Sequence, residues 1–237
     1  MEKVPAIRGG KFMSNETLLI MAAILTFSCL VVMNRVFGKA GLFAWAALVP
    51  VLANILTAKQ ITVFGLDATM GTVLFSSMFL CTDIMSEIYG HKEARRAAYI
   101  GIAAVCGYIV VTQTALLFVP NDFDYASGAM ETIFATSFRI SLASLACFAI
   151  ANMADVFLFD WLKKKFPKHL WLRNNVATIA CNVIENFVLM FISFYGIFTA
   201  AECVQLAVAT SVIEVIVCVL DTPFVYIARK WKHGDDQ

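Results

Sequence analysis

Apolar positions in this chain fall in long unbroken blocks rather than in the half-filled patterns of elements that face water on one side. Seven blocks approach or exceed the roughly 20 residues that a helix needs to cross the hydrocarbon core. They are Thr17–Phe37, Leu42–Thr57, Ala68–Tyr89, Ala97–Val119, Arg139–Leu162, Asn174–Phe198 and Cys203–Ala228. The second is short and carries Pro50, so it either crosses or re-enters. Directly after it "AKQITVFGLD" alternates like a strand and predicts a buried hairpin. The predicted fold is an all-α integral membrane protein, a compact bundle of six to seven transmembrane helices. Residues 1–16 form a short basic N-terminal segment, 17–229 a single transmembrane domain and 230–237 a tail. Met1–Ser14 has no apolar core with a cleavage site and does not read as a signal peptide.

Composition agrees, with 60% hydrophobic and 15% charged residues against roughly 45–50% and about 25% in soluble domains. The net charge of +1 says nothing about partners. The seven Cys lie within or at the ends of the blocks, as reduced thiols packed like small apolar groups would. Charge sets orientation, because short cytoplasmic loops retain Lys and Arg. "KKKFPKHLWLR" at Lys163–Arg173, "GHKEARR" at Gly90–Arg96 and "ARKWKHG" at the tail are basic, whereas Pro120–Phe138 carries acids and neither Lys nor Arg. This places the C-terminus in the cytoplasm. Carried back through seven spans it places the N-terminus outside, against the charge of Lys3, Arg8 and Lys11; with six spans that conflict disappears.

Polar residues inside the blocks share helical faces. Thr178, Asn182 and Glu185 follow at steps of four and three, with Asn186 alongside. Ser211, Glu214, Cys218 and Asp221 do the same, as do Thr72, Ser76, Asp83 and Glu87. Ala143, Cys147, Ala151 and Asp155 lie four apart, with Phe148 and Asn152 beside them; small residues at that spacing mark a helix-packing face. At about 1.5 Å per residue, Asn152, Glu185 and Glu214 fall near mid-membrane and Asp83, Asp155 and Asp221 nearer the cytoplasm. A midplane acid costs roughly 2.5–3.5 kcal/mol on insertion scales and is a functional candidate by default. The inner aspartates lie near Arg95, Arg96, Arg173 and Arg229, so an ion pair closing that side and a substrate contact both fit. Lys59, a little beyond Asn54, is either an exposed loop lysine or a buried partner of the acidic layer.

A transporter uses such midplane groups to hold a solute during alternating access. An intramembrane enzyme needs a nucleophile with a base, or a metal. The three His residues, His91, His169 and His233, lie in loops or the tail, so neither a Ser-His pair nor H-E-x-x-H can form in the membrane. No catalytic residue, metal ligand set or cofactor is expected. A phosphatidyl-transferase-like lipid enzyme, faintly suggested by "DIMSEIYGHKEARR", is the minor alternative.

"ANILTAKQITVFGLDATMG", "FLCTDIMSEIYGHKEARRAAYIG", "WLKKKFPKHLWLRNNVATIACNVIENFVLMF" and "DTPFVYIARK" resemble the queuosine precursor transporters, which are also grouped with vitamin uptake transporters. The most specific part is Asp83, Glu87, Tyr89, Gly90, Ala94 and Arg95. The resemblance implies a bacterial inner-membrane protein that imports a 7-deazaguanine, such as queuine or its precursor bases, for tRNA modification, binding no nucleic acid itself. It also leaves open a substrate-binding subunit served by a separate energising module, and a homodimer. Asn182, Ala154, Glu185 and Glu214 depart from the family's usual residues. On this reading Glu185, Glu214, Asn182, Asn152, Phe148, Asn186 and Thr178 bind substrate. Asp83, Glu87, Asp155, Asp221, Arg95, Arg173, Lys59 and Asn54 gate or form an inner layer.

Overall fold

Helix dominates the computed structural model, which describes residues 13–134, 138–194 and 199–231. Its first element, α1 (Asn15–Thr57), is 43 residues of helix broken at Gly38, whose φ of 55° and ψ of −138° are outside the helical region. A straight helix would hold Met33 and Gly41 about 12 Å apart, yet a side chain on Gly41 would collide with the Met33 carbonyl. The two halves therefore fold back on each other. Both ends of the hairpin they make meet again, because Asn15 Nδ2 donates to the Thr62 carbonyl at 3.0 Å and the Phe64 amide donates to Glu16 at 3.1 Å.

Thr62 and Phe64 belong to a short β-hairpin, β1 (Gln60–Val63) paired with β2 (Leu66–Thr69), with Val63 opposite Leu66. Phe64 and Gly65 make the two-residue turn with φ of 52° and 74°, as a type I′ turn requires. The alternating segment is thus a hairpin as expected. It is not buried as a whole: Val63 and Ala68 are buried while Gln60, Thr62, Phe64 and Asp67 face out. Lys59, at its base, is exposed, which excludes its reading as a buried partner of the acidic layer.

Then follow α2 (Gly71–Ile88), α3 (His91–Ala115), the short α4 (Ser127–Phe134), α5 (Phe138–Lys165), α6 (Leu170–Phe194) and α7 (Ala200–Lys230). Every residue from Ser76 to Ser86 is buried, so α2 is the central helix, with α1, α3, α5 and α7 packed around it. Close approach has visible causes. Pro50 cannot donate to the Ala46 carbonyl one turn back, and that carbonyl faces Gly101 of α3, where an added Cβ would lie 3.1 Å from it. Thr199 and Glu202 form a reciprocal capping box that starts α7. Among the described residues, α1, α3, α7 and most of α5 and α6 are long and apolar enough to cross a membrane. This is a multi-pass membrane protein. Its helices begin or end at two opposite ends: the β-hairpin end, and a basic end that gathers Lys163, Arg173 and Arg229.

Candidate functional site

Three strata of polar side chains stack along the axis of α2, because Thr72, Phe75, Phe79, Asp83 and Glu87 succeed one another at steps of three and four. Four residues of helix rise about 6 Å, so each stratum is one turn deeper than the last.

The first stratum is a small cavity of about 130 Å³, open on one side. Glu185 and Asn186 of α6 and Glu214 of α7 supply its charge and polarity; Phe75, Phe79 and Phe148 supply apolar wall. Asn54, Thr57, Thr69 and Thr72 border it toward the β-hairpin, and no Lys, Arg or His lines it among the described residues. Phe75 and Phe148 lie with ring centroids 6.2 Å apart and planes tilted by 51°. Glu214 is held by Asn186 Nδ2, which donates to it at 2.6 Å and to Ser211 at 3.3 Å. Glu185 has no protein donor among the described residues. It also borders an apolar groove between α5 and α6 lined by Cys147, Ala151, Cys181 and Ile184.

The second stratum is buried. Asp83, Asp155 and Asp221 are each at most 1% exposed, as are Asn152, Asn174 and Thr178, with Asn182 at 3%. Thr178 donates to Asp155 at 3.2 Å and Asn174 to Asp221 at 2.7 Å. Thr178, Asn182 and Asn152 thus lie one layer below the cavity they were expected to line, whereas Asn54, expected in the inner layer, borders the cavity. Phe75, Phe79 and Thr210 were missed, although Phe75 and Phe79 share the α2 face of Thr72 and Asp83.

The third stratum closes the basic end. Arg173, 1% exposed, makes a short charged hydrogen bond to Glu87; Lys163 lies 3.3 Å and Arg229 3.4 Å from the same carboxylate. Lys163 also donates to the backbone carbonyls of Ser86 and Glu87. One acid on α2 therefore ties down α5, α6 and α7. Of the two readings of the inner aspartates, the ion pair is not formed among the described residues: Arg173 and Arg229 meet Glu87 and Arg96 meets Glu93. Arg95 lies over the Phe157 ring at 5.5 Å instead of against an acid.

A membrane bundle with a polar cavity between its helices and an ionic cluster at one end has the architecture of a membrane transporter. Residues 69–228 match the family described as "Putative vitamin uptake transporter", and the chain belongs to it. A "Probable queuosine precursor transporter" of Bacillus subtilis (strain 168) is 33% identical over 227 residues, 95% of this chain and 99% of that protein. The "Queuosine precursor transporter" of Escherichia coli (strain K12) is 24% identical, over 71% of this chain and 75% of its own. No solved structure matches. The chain is a member of the queuosine precursor transporter family.

Proposed function

We propose that this protein imports a 7-deazaguanine base across the cytoplasmic membrane of a bacterium, without acting as an enzyme. The observation that carries this is the donor-seeking cavity: two carboxylates and aromatic walls, with no cation lining it among the described residues. The names of its relatives supply the class of solute. A guanine-like edge presents N1–H and an exocyclic amine side by side, and a carboxylate accepts both in a charge-assisted pair. Glu185, free of protein donors, takes that role. Glu214 faces the cationic amine of queuine or the aminomethyl precursor, and Phe148 with Phe75 flanks the ring, a contact worth about 1–3 kcal/mol per base in nucleic-acid sites.

In this reading the fold-back at Gly38 makes residues 15–37 and 39–57 separate crossings, giving seven in all. The basic end is cytoplasmic by its Lys and Arg excess, the C-terminus is inside, and residue 15 is outside. The cavity then opens outward, while Glu87 with its three cations shuts the inner end. Inward opening requires that cluster to part, in keeping with alternating access around a fixed site.

Uptake of labelled queuine into cells lacking their own importer tests the proposal. Expression should restore queuosine in tRNA, and Glu185→Gln at equal membrane abundance should not. Restoration by the Glu185→Gln variant at wild-type rate would contradict the assigned site.

A further inference from the structure

Glu87 is one carboxylate set against three cations, and the three are not equally engaged. Lys163 approaches Glu87 and donates to the carbonyls of Ser86 and Glu87. Arg173, 1% exposed, bonds Glu87, donates to the Pro167 carbonyl and lies over the Phe159 ring. Arg229 differs from both. Only its Nε approaches Glu87, at 3.4 Å, and its side chain is half exposed. Its two Nη groups and the ammonium of the neighbouring Lys230 have no acceptor among the described residues, whereas Lys164 pairs with Asp160 at 2.8 Å and Lys165 lies over the Trp161 ring.

These two cations line an open recess of about 430 Å³ together with Tyr226 and Ile227, and no acid lines it among the described residues. The third polar group there is a donor as well. The Tyr226 hydroxyl oxygen accepts from the Trp171 amide at 3.2 Å, which leaves its proton for an acceptor beyond. Depth fixes what that acceptor meets. The 31 residues of α7 rise about 46 Å at 1.5 Å each, which matches the roughly 40–45 Å of a bilayer with its headgroup regions. Arg229 and Lys230, in the last turn of α7, therefore lie at headgroup level. Trp161, Trp171 and Trp231, each about half exposed, gather at the same end, as the aromatic belt of a membrane interface does.

We propose that this recess binds the phosphate of an anionic phospholipid headgroup, held by the Nη groups of Arg229, the ammonium of Lys230 and the Tyr226 hydroxyl, with Ile227 against the apolar part of the lipid. A guanidinium presents its N–H groups as a fork that matches phosphate oxygens. Because Nε is the atom turned to Glu87, the Nη groups serve the phosphate without giving up the carboxylate. The lipid thus extends the ionic cluster outward and fastens the end of α7 at the closed side of the bundle. The site stands whether or not the cavity carries a 7-deazaguanine.

Native mass spectrometry of the full-length protein in detergent, offered equal amounts of phosphatidylglycerol and phosphatidylcholine, tests it. The wild type should retain one phosphatidylglycerol in preference. Lys230→Gln should weaken that binding about fivefold, the effect of one lysine beside an anionic surface; Arg229→Gln should weaken it at least as much and Arg229→Lys less. Lys165→Gln removes the same charge from the same end, but from α5, and should leave the preference intact. Lys230 makes no hydrogen bond or ion pair among the described residues, so its variant keeps the test valid if Arg229→Gln fails to fold; an unchanged melting temperature without lipid verifies this. Equal retention of the two lipids by the wild type, or equal loss in Lys165→Gln and Lys230→Gln, overturns the site in favour of a general basic surface. Displacement of phosphatidylglycerol by inorganic phosphate in excess assigns the recess to a free anion and overturns the lipid.

Discussion

Glu185 is the cavity acid with no protein donor among the described residues, whereas Glu214 is fastened by Asn186 at 2.6 Å. The two should therefore respond differently to loss of charge. Glu185→Gln turns one acceptor into a donor facing the ligand's own donors, and truncating one side of a buried charged hydrogen bond costs about 2–5 kcal/mol. At 1.4 kcal/mol per decade this is a fall in affinity of at least about 30-fold. Asn186→Ala frees Glu214 without removing its charge and should weaken binding by about tenfold or less, that is by no more than about 1.4 kcal/mol, because only the orientation of the carboxylate is lost. Isothermal titration of both variants checks the order. At this scale the helical phase of the acids was legible in the sequence, because steps of three and four fix a face whatever the tertiary context. Depth was not. Asn182 and Asn186 differ by one turn, about 6 Å, and that difference separates a cavity wall from a buried layer. Counting from span ends could not resolve it, since α6 begins at Leu170 rather than Asn174. Partner choice was equally hidden: nothing in the spacing says that Glu87 outcompetes Asp83 for Arg173.

Among the elements, the break in α1 carries the most consequence. Gly41 has no room for a side chain against Met33, so Gly41→Ala should destabilise by about 1–3 kcal/mol, the usual cost of overpacking, seen as a lower melting temperature in detergent. The sequence divided these residues into two blocks at Phe37 and Leu42, which is where the chain turns; "GKAG" between them was the signal. The ionic cluster at Glu87 predicts a different outcome. Removing one member of a buried ion pair typically costs about 3–5 kcal/mol, so Glu87→Gln should lower stability and also loosen α5, α6 and α7 at the basic end. The buried thiol of Cys218 should then react faster with a maleimide added from that side. An unchanged rate would mean that the cluster is no gate. The short α4 escaped the sequence reading because its eight residues carry no span-length signal. Asp124 holds its start by accepting from the Ser127 hydroxyl and the Ser127 and Ala126 amides, bonds that lower the carboxyl pKa. A lowered folded pKa contributes stability above the ordinary value of about 3.9, lost as pH falls through the folded value. The protection of α4 amides against exchange, taken relative to the intrinsic rate at each pH, should fall in acid, and in Asp124→Ala it should be low at every pH.

For the whole molecule, topology is the first question a single experiment can answer. If the basic end is cytoplasmic, a membrane-impermeant thiol reagent applied to intact cells should label a Cys introduced at Ser127 and spare one at Lys168. A Cys at Met13 should be labelled too, since residue 15 lies at the β-hairpin end with the outer helix termini. Labelling at Lys168 would invert the assignment. The central claim is that the outward cavity holds a 7-deazaguanine between Glu185 and the aromatic walls. Thermal unfolding of the purified protein with and without queuine tests it most directly, because a ligand that binds only the folded state stabilises it by about 2.7 kcal/mol at 100 times its Kd. The account predicts a concentration-dependent rise in melting temperature with queuine or the aminomethyl precursor, none with an anionic guanine nucleotide, and none with queuine in Glu185→Gln. Equal stabilisation of wild type and Glu185→Gln by queuine, or stabilisation by the nucleotide in place of the base, would contradict it.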